Sequence, residues 1–282
     1  MMSHWFAGRR LVVATKHQKE RVIAPLVESA LGVRCLLPDD LDTDQLGTFS
    51  GEVDRTLDPL ETARQKGRMA MDLTGCDLAI ASEGAFGPHP HLFFTAADDE
   101  VLLLMDRKHD LEIFVRVIST ETNFAGAAVA TEEELLRFAA MTRFPSHALI
   151  LRSGAGQTAG LLKGITTYRQ LLPAFHALQA TFGAAYVETD MRAMHNPMRM
   201  KVIEAAAQKL IARVQSHCPH CDTPGFGRTD VKTGLPCGLC GLPTRSVLAD
   251  VYRCQRCGHT EERSFPRGQA VEDPMYCDFC NP

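Results

Sequence analysis

Eight of the chain's ten cysteines lie in its last quarter as four C-x-x-C pairs: Cys218/Cys221, Cys237/Cys240, Cys254/Cys257 and Cys277/Cys280. A C-x-x-C turn presents two thiolates to one side of a tetrahedral ion, so two such turns complete a four-sulfur site. Fifteen residues separate Cys221 from Cys237 and nineteen separate Cys257 from Cys277, spacings that suit C-x2-C…C-x2-C zinc sites. Four regular pairs argue against an iron–sulfur cluster or a redox dithiol. The tail is therefore expected to hold two structural zinc ions, whose binding supplies much of its folding energy. Sequential pairing is the simplest arrangement. The run "CGLCGLPTRSVLADVYRCQRCG" also reads as a ribbon joining Cys237/Cys240 to Cys254/Cys257, which would leave Cys218/Cys221 to Cys277/Cys280. Sites closed by four sulfurs leave no open position for catalysis, and His217, His220 and His259 are surplus ligands.

Such a module is a recognition element. Arg245, Arg253, Arg256, Arg263 and Arg267 could meet phosphates, but Asp250, Glu261, Glu262, Glu272 and Asp273 offset them, so a protein partner and a nucleic acid both stay open. The whole chain of 282 residues carries a formal net charge of −4, which gives no global attraction to polyanions. Its longest apolar runs, such as Val101–Met105, are far too short to span a bilayer, and the N-terminus lacks a signal-peptide pattern. These features lead to an expected cytoplasmic location, where paired cysteines bind metal rather than form disulfides.

The body alternates strand and helix patterns. Strands are expected at Arg10–Thr15, Asp77–Ser82, His91–Ala96, Val101–Asp106, Leu111–Ser119, His147–Ser153 and Ala185–Asp190. A helix with Val22, Ile23, Leu26, Val27, Ala30 and Leu31 on one face stops at Gly32 and is interrupted by Pro25, since an interior proline costs about 3 kcal/mol. Asp58, Pro59 and Glu61 read as N-cap, first helical position and capping-box partner of a second helix that Gly75 ends. Thr131 with Glu134 caps a third. A fourth covers about Thr167–Phe182, and Asn196-Pro197 opens a long one to about Val214. This pattern predicts an α/β domain over residues 8–214, a mixed sheet covered by helices, followed by a double zinc-ribbon module over 215–282.

Three clusters could carry chemistry. In "TKHQK" a strand ends at Thr15 and Lys16 and Lys19 approach a helix start, a geometry suited to phosphate. "ETARQKG" supplies Glu61 and Lys66. "SEGAFG" places Glu83 at the C-terminal end of an apolar strand, followed by Gly84 and Gly87, where α/β sheets often present a ligand-facing carboxylate. Each has an ordinary reading as well: a cap, a solvated lysine, a loop glutamate. In this order the three resemble the inosine-triphosphate pyrophosphatase and Maf superfamily over about Leu11–Gly87. Lys16 and Thr62 stand where that pattern has asparagine, and the acidic motif is E-G-A. The resemblance implies Thr15, Lys19 and Lys66 as phosphate contacts, Glu61 and Glu83 as Mg²⁺ carboxylates, and Asp77 as a group behind them. It further implies Mg²⁺-dependent hydrolysis of nucleoside triphosphates or related phosphoanhydrides. The alternative is a non-catalytic adaptor or sensor that binds nucleotide or nucleic acid. As a whole the chain is also similar to a bacterial family of unknown function with a zinc-ribbon tail.

A separate turn, "ETDMRAMHNPMR", offers Glu188, Asp190, Arg192, His195, Asn196 and Arg199. Arg192 and Arg199 could clamp an anion bidentately and His195 could move a proton, while a salt-bridged structural turn explains each residue singly. Cys35 and Cys76 lack metal spacing and are expected to be buried apolar residues.

Overall fold

The computed structural model describes residues 5–38 and 57–282. The chain divides into two compact units, Met1–Ile211 and Ala212–Pro282. Together they form a mixed α/β protein. Among the described residues, no helix is long and apolar enough to cross a membrane.

The first unit opens with β1 (Arg10–Ala14), α1 (Glu20–Leu31) and β2 (Arg34–Leu36), then α2 (Pro59–Thr74) and β3 (Leu78–Pro88). All side chains of β1 beyond Arg10 are buried, as a strand covered on both faces requires. α1 buries Ile23, Val27 and Leu31, runs unbroken through Pro25, and ends where Gly32 takes φ 66°. In α2 the Asp58 carboxylate accepts from the Leu60 and Glu61 amides at 2.9 and 3.1 Å, as expected of the cap. Glu61, however, does not complete the expected box, because its carboxylate turns to Arg64 at 2.7 Å. The helix lays Ala63, Ala70 and Met71 on Val12, Ala14, Ala79, Ala81, Leu103 and Met105 of the sheet.

β4 (Ala96–Asp106) and β5 (Leu111–Ser119) complete the five-stranded sheet in the order β2-β1-β3-β4-β5. β1 is parallel to both β2 and β3, whereas β4 is antiparallel to β3 and to β5. The chain thus leaves β1 first to one side and then to the other. Right-handed crossovers put α1 and α2 on opposite faces. The carboxyl end of β1 lies beside Ala81 of β3, which runs on to Pro88, and this step marks the switch point, where ligands bind in open α/β sheets.

A second sheet of the same unit has the order β6-β9-β7-β8, built from β6 (Gly126–Val129), β7 (Leu149–Arg152), β8 (Leu162–Ile165) and β9 (Ala185–Thr189). α3 (Glu132–Met141) carries the complete Thr131/Glu134 capping box, and α4 (Tyr168–Phe182) starts at the Thr167 cap. Leu135, Phe138, Leu171, Phe175 and Leu178 of these helices pack with Leu149, Leu151 and Val187 of the sheet. α5 (Pro197–Gln215) follows, opened by Asn196, whose Oδ1 accepts from the Arg199 amide at 3.0 Å.

One expected strand is absent. Of His91–Ala96, all but Ala96 lies in the loop between β3 and β4, with Phe93 and Phe94 79% and 89% exposed. The local cause is His89, whose Nδ1 accepts from the His91 and Leu92 amides, both at 3.1 Å, and closes a turn before Thr95. The short strands β2, β6 and β8 lie outside the expected set. They are edge pieces of three or four residues with little apolar periodicity.

The second unit holds β10 (Gly227–Thr233), β11 (Val247–Arg253) and β12 (Thr260–Ser264), antiparallel in that order. Nearly every β10 and β12 side chain is exposed, and the buried residues are few: Phe226, Leu235, Ala249 and four of the cysteines among them. A core this small does not hold a 71-residue segment by burial alone.

Candidate functional site

The end of β1 and the middle of β3 and β4 hold a buried cluster of charge. Strand alternation sends Ser82, Gly84 and Phe86 to one face of the sheet, opposite Leu102, Glu100 and Asp98 in the β3–β4 register. Lys19, at the start of α1, reaches this face, donating to Ser82 Oγ at 2.9 Å and to Glu100 Oε2 at 3.3 Å. From α5, Arg199 Nε donates to Glu100 Oε1 at 2.6 Å and its Nη1 to the Met191 carbonyl at 2.6 Å, with the guanidinium 5.0 Å from the Phe86 ring centre. Gly84 permits this approach, because a Cβ there would collide with both Glu100 and Arg199.

Lys19, Glu83, Asp98, Glu100 and Arg199 are all at most 4% exposed. For Lys19 and Asp98 burial is the main influence on titration. It lowers Lys19 to about 8, partly opposed by the Glu100 charge. Burial, then the neighbouring Glu100 carboxylate, pushes Asp98 up to about 8. The Asp98 oxygens are buried with no amide, hydroxyl or cationic donor, and their close neighbour is the Glu100 carboxylate, which can share the Asp98 proton. A carboxylate in this setting holds a proton near neutral pH or takes a cation.

Glu83 faces the α2 side of the sheet and pairs with Lys66. It remains within electrostatic reach of Lys19, which projects past the end of β1. Glu61 lies apart from this pairing, held by Arg64, which also grips Glu112 at 2.8 Å. Asp77 pairs with Arg9 at 3.0 Å. Thr15 Oγ1 donates to the Lys16 carbonyl at 3.2 Å, and the two residues stand in a half-buried loop whose next residues, His17 and Gln18, both take positive φ (65° and 63°). Two successive left-handed non-glycine residues are uncommon and costly, and such strain gathers at functional sites. Asp98, Glu100 and Ser82 were absent from the expected set. Acids set before "VLLLM" resemble a hairpin end, and only the register reveals their partners.

The second turn divides. Asp190 is fully buried, accepts from the Gly164 amide at 3.0 Å and takes Arg192 Nε and Nη2 at 2.9 and 2.5 Å. Half-buried His195 is lowered by burial, with Asp190 opposing and Arg192 assisting. Arg199 leaves this group for Glu100. Cys76 is buried as expected, whereas Cys35 is only half-buried, and its thiol is pushed up to about 12 by partial burial and by Glu28.

In the second unit the cysteines form two quartets, Cys218/Cys221/Cys254/Cys257 and Cys237/Cys240/Cys277/Cys280, each with its sulfurs within 4.8 Å of one another. Each quartet could hold a metal ion. The pairing is interleaved, first pair with third and second with fourth, and differs from both the sequential and the ribbon arrangements. Antiparallel β10–β11–β12 explains it, because β11 delivers Cys254 back beside Cys218. The Cys237 thiol falls to about 7 through the Cys240 and Leu239 amides. Its neighbour Cys280 is pushed up to about 12, chiefly through Cys240. Four crowded thiols cannot all ionise unaided, and a bound cation removes that conflict. Among the described residues, these quartets are the groups of three or more Cys, His, Asp or Glu whose ligand atoms converge.

Residues 66–282 match the model of a family described as a domain of unknown function, DUF6671. The match contains the quartets, Lys66, Glu83, Asp98, Glu100 and Arg199, and begins after Lys19 and Glu61. No curated protein matches the chain. A solved structure, protein VC0702 from Vibrio cholerae, aligns over 73% of this chain and 94% of its own at 8% identity, with a TM-score of 0.30.

Proposed function

The chain belongs to the DUF6671 family, whose description assigns no activity, and we propose that it is a Mg²⁺-dependent hydrolase of nucleoside triphosphates or related phosphoanhydrides. The observation that carries this reading is Lys19, buried with Ser82 and Glu100 at the switch point beneath the strained Thr15–Gln18 loop. Lys19, Lys66 and Arg199 supply positive charge to a phosphate chain, and Thr15 and Lys16 line its approach. Asp98, on the face that carries Lys19 and Arg199, is the carboxylate nearest the metal in this reading, and Glu83 with Lys66 serves the site from the opposite face, across the end of β1. The Asp98 oxygens, which face Glu100 and no cationic donor, suit a hard cation, whereas Glu61, engaged by Arg64, drops out of this role. When bound, Mg²⁺ would neutralise phosphate charge and lower the pKa of the attacking water. Water attack forms one P–O bond at phosphorus and breaks the bridging P–O bond, while a carboxylate takes the water proton. Both cysteine quartets hold zinc in this reading.

A second reading, binding without turnover, is favoured by the pairings Lys66–Glu83 and Arg199–Glu100, which already match cation to carboxylate. Incubating the zinc-loaded protein with Mg²⁺ and a panel of ordinary and deaminated nucleoside triphosphates separates the two. Pyrophosphate or phosphate release that disappears in Glu83→Gln and Lys19→Met supports the hydrolase. Tight binding without release across the panel leaves the sensor.

A further inference from the structure

The two cysteine quartets differ in one respect that metal binding does not require. The inner residues of the first quartet's turns are Pro219-His220 and Gln255-Arg256, all polar or small. Those of the second are Gly238-Leu239 and Asp278-Phe279. Leu239 and Phe279 are each 74% exposed, and Met275 and Tyr276, just before Cys277, are 59% and 63% exposed. Holding four large apolar side chains in water around one metal site has no folding rationale. Clusters of this kind mark docking surfaces, whereas scattered apolar residues do not.

Beside this patch lies an open cavity of about 480 Å³, lined by Arg245, Arg267, Met275, Tyr276, Asp278 and Asn281 among others. Its wall is set by the quartet: Asn281 N donates to the Cys277 carbonyl at 2.9 Å, and Asn281 Nδ2 to that of Met275 at 2.9 Å. The cavity offers two guanidinium groups. Arg245 holds Asp278 at 2.8 Å in a pair whose side chains are 86% and 65% exposed, a contact that solvent weakens and an incoming carboxylate can replace. Arginine takes a carboxylate through two parallel N–H bonds.

We propose that the second cysteine quartet is a docking site for an extended segment of a partner protein that carries a carboxylate beside a large apolar side chain. The carboxylate goes to Arg245 and Arg267, and the apolar side chain to the Leu239, Tyr276 and Phe279 patch. Charge selects a peptide over a nucleic acid. Acids and bases are equal in number over 212–282, and a divalent ion with four thiolates leaves each quartet net negative, so the unit has no field for a polyphosphate. The proposal is independent of the hydrolase reading. It rests on the second quartet holding its metal.

The test is selection of a random twelve-residue peptide library, displayed on phage, against the immobilised full-length zinc-loaded protein. The Leu239→Ser/Phe279→Ser and Arg245→Glu/Arg267→Glu variants serve as counter-targets, and zinc content verifies that each stays folded. The winning peptides, fluorescently labelled, are then titrated beside a 20-nucleotide single-stranded DNA. The expected result is a set with Asp or Glu next to Phe, Leu, Ile or Met. Both variants should weaken binding at least about tenfold, and the arginine reversal should rescue a Lys-for-Glu version of the same peptide. Selected peptides that bind both variants as well as wild type, sequences without acidic residues, no enrichment, or DNA binding tighter than the best peptide would each overturn it.

Discussion

Arg199 and Glu100 meet at 2.6 Å with both side chains shut off from solvent, joining α5 to the middle of β4. Removing one partner strands a buried charge. Arg199→Ala or Glu100→Ala should therefore lower stability by about 3–5 kcal/mol, and urea unfolding of the full chain measures it. Gly84→Ala should act on the same pair by steric conflict at a smaller cost, about 1–3 kcal/mol.

The titration of Asp98 and Lys19 gives stability a characteristic pH profile. Between the ordinary carboxylate range and about 8, folded Asp98 holds a proton that the unfolded chain has released, so this group makes stability fall as pH rises. Between about 8 and the ordinary 10.5, folded Lys19 is neutral while the unfolded chain binds a proton, so this group makes stability rise with pH. Denaturation midpoints from pH 5 to 10 should show the first slope flattened in Asp98→Asn and the second flattened in Lys19→Met. Unchanged slopes in both variants would show that these groups do not titrate as described.

At the other turn, Asp190 holds Arg192 and the Gly164 amide in full burial. Asp190→Asn keeps the shape but removes the charge that Arg192 needs, and a loss of about 2–4 kcal/mol is expected in thermal or urea unfolding. Preserved stability together with lost pyrophosphate or phosphate release would instead make this turn part of the chemistry.

Because the quartets interleave, the two metal sites should not behave independently. Cys221→Ser lies in the first quartet, yet it should lower zinc affinity at the second by about tenfold or more, since the segment from Cys240 to Cys277 loses its internal anchor. Competitive chelator titration, counting both ions, checks this. Full occupancy of the second site at wild-type affinity would refute it.

What could be read from the sequence was mostly local. The Asp58 and Thr131 caps, the Gly32 and Gly75 helix ends and the cysteine pairs each announce themselves within a few residues, because the physics that dictates them is short in range. The quartet pairing was hidden because every C-x-x-C turn is chemically alike, and the choice of mate is made by strand pairing tens of residues away. Asp98 and Glu100 stayed hidden for a related reason. Lys19 and Arg199 lie 81 and 99 residues from Glu100, and Ser82, Gly84 and Phe86 come to the same face only through the β3–β4 register. The loop at His91–Ala96 misled for the opposite reason: "HLFFTA" has strand composition, but the His89 side chain captures its amides first.

The interleaved quartets also set a timetable for the chain as it is made. Cys221 emerges from the ribosome 33 residues before its mate Cys254, and in that interval the Cys237/Cys240 turn appears within reach of the same ion. A metal captured early would bind the two turns that are neighbours in sequence, an arrangement the finished protein does not contain. Maturation therefore needs either a metal supply that arrives after synthesis or a ligand exchange in which the third turn evicts the second.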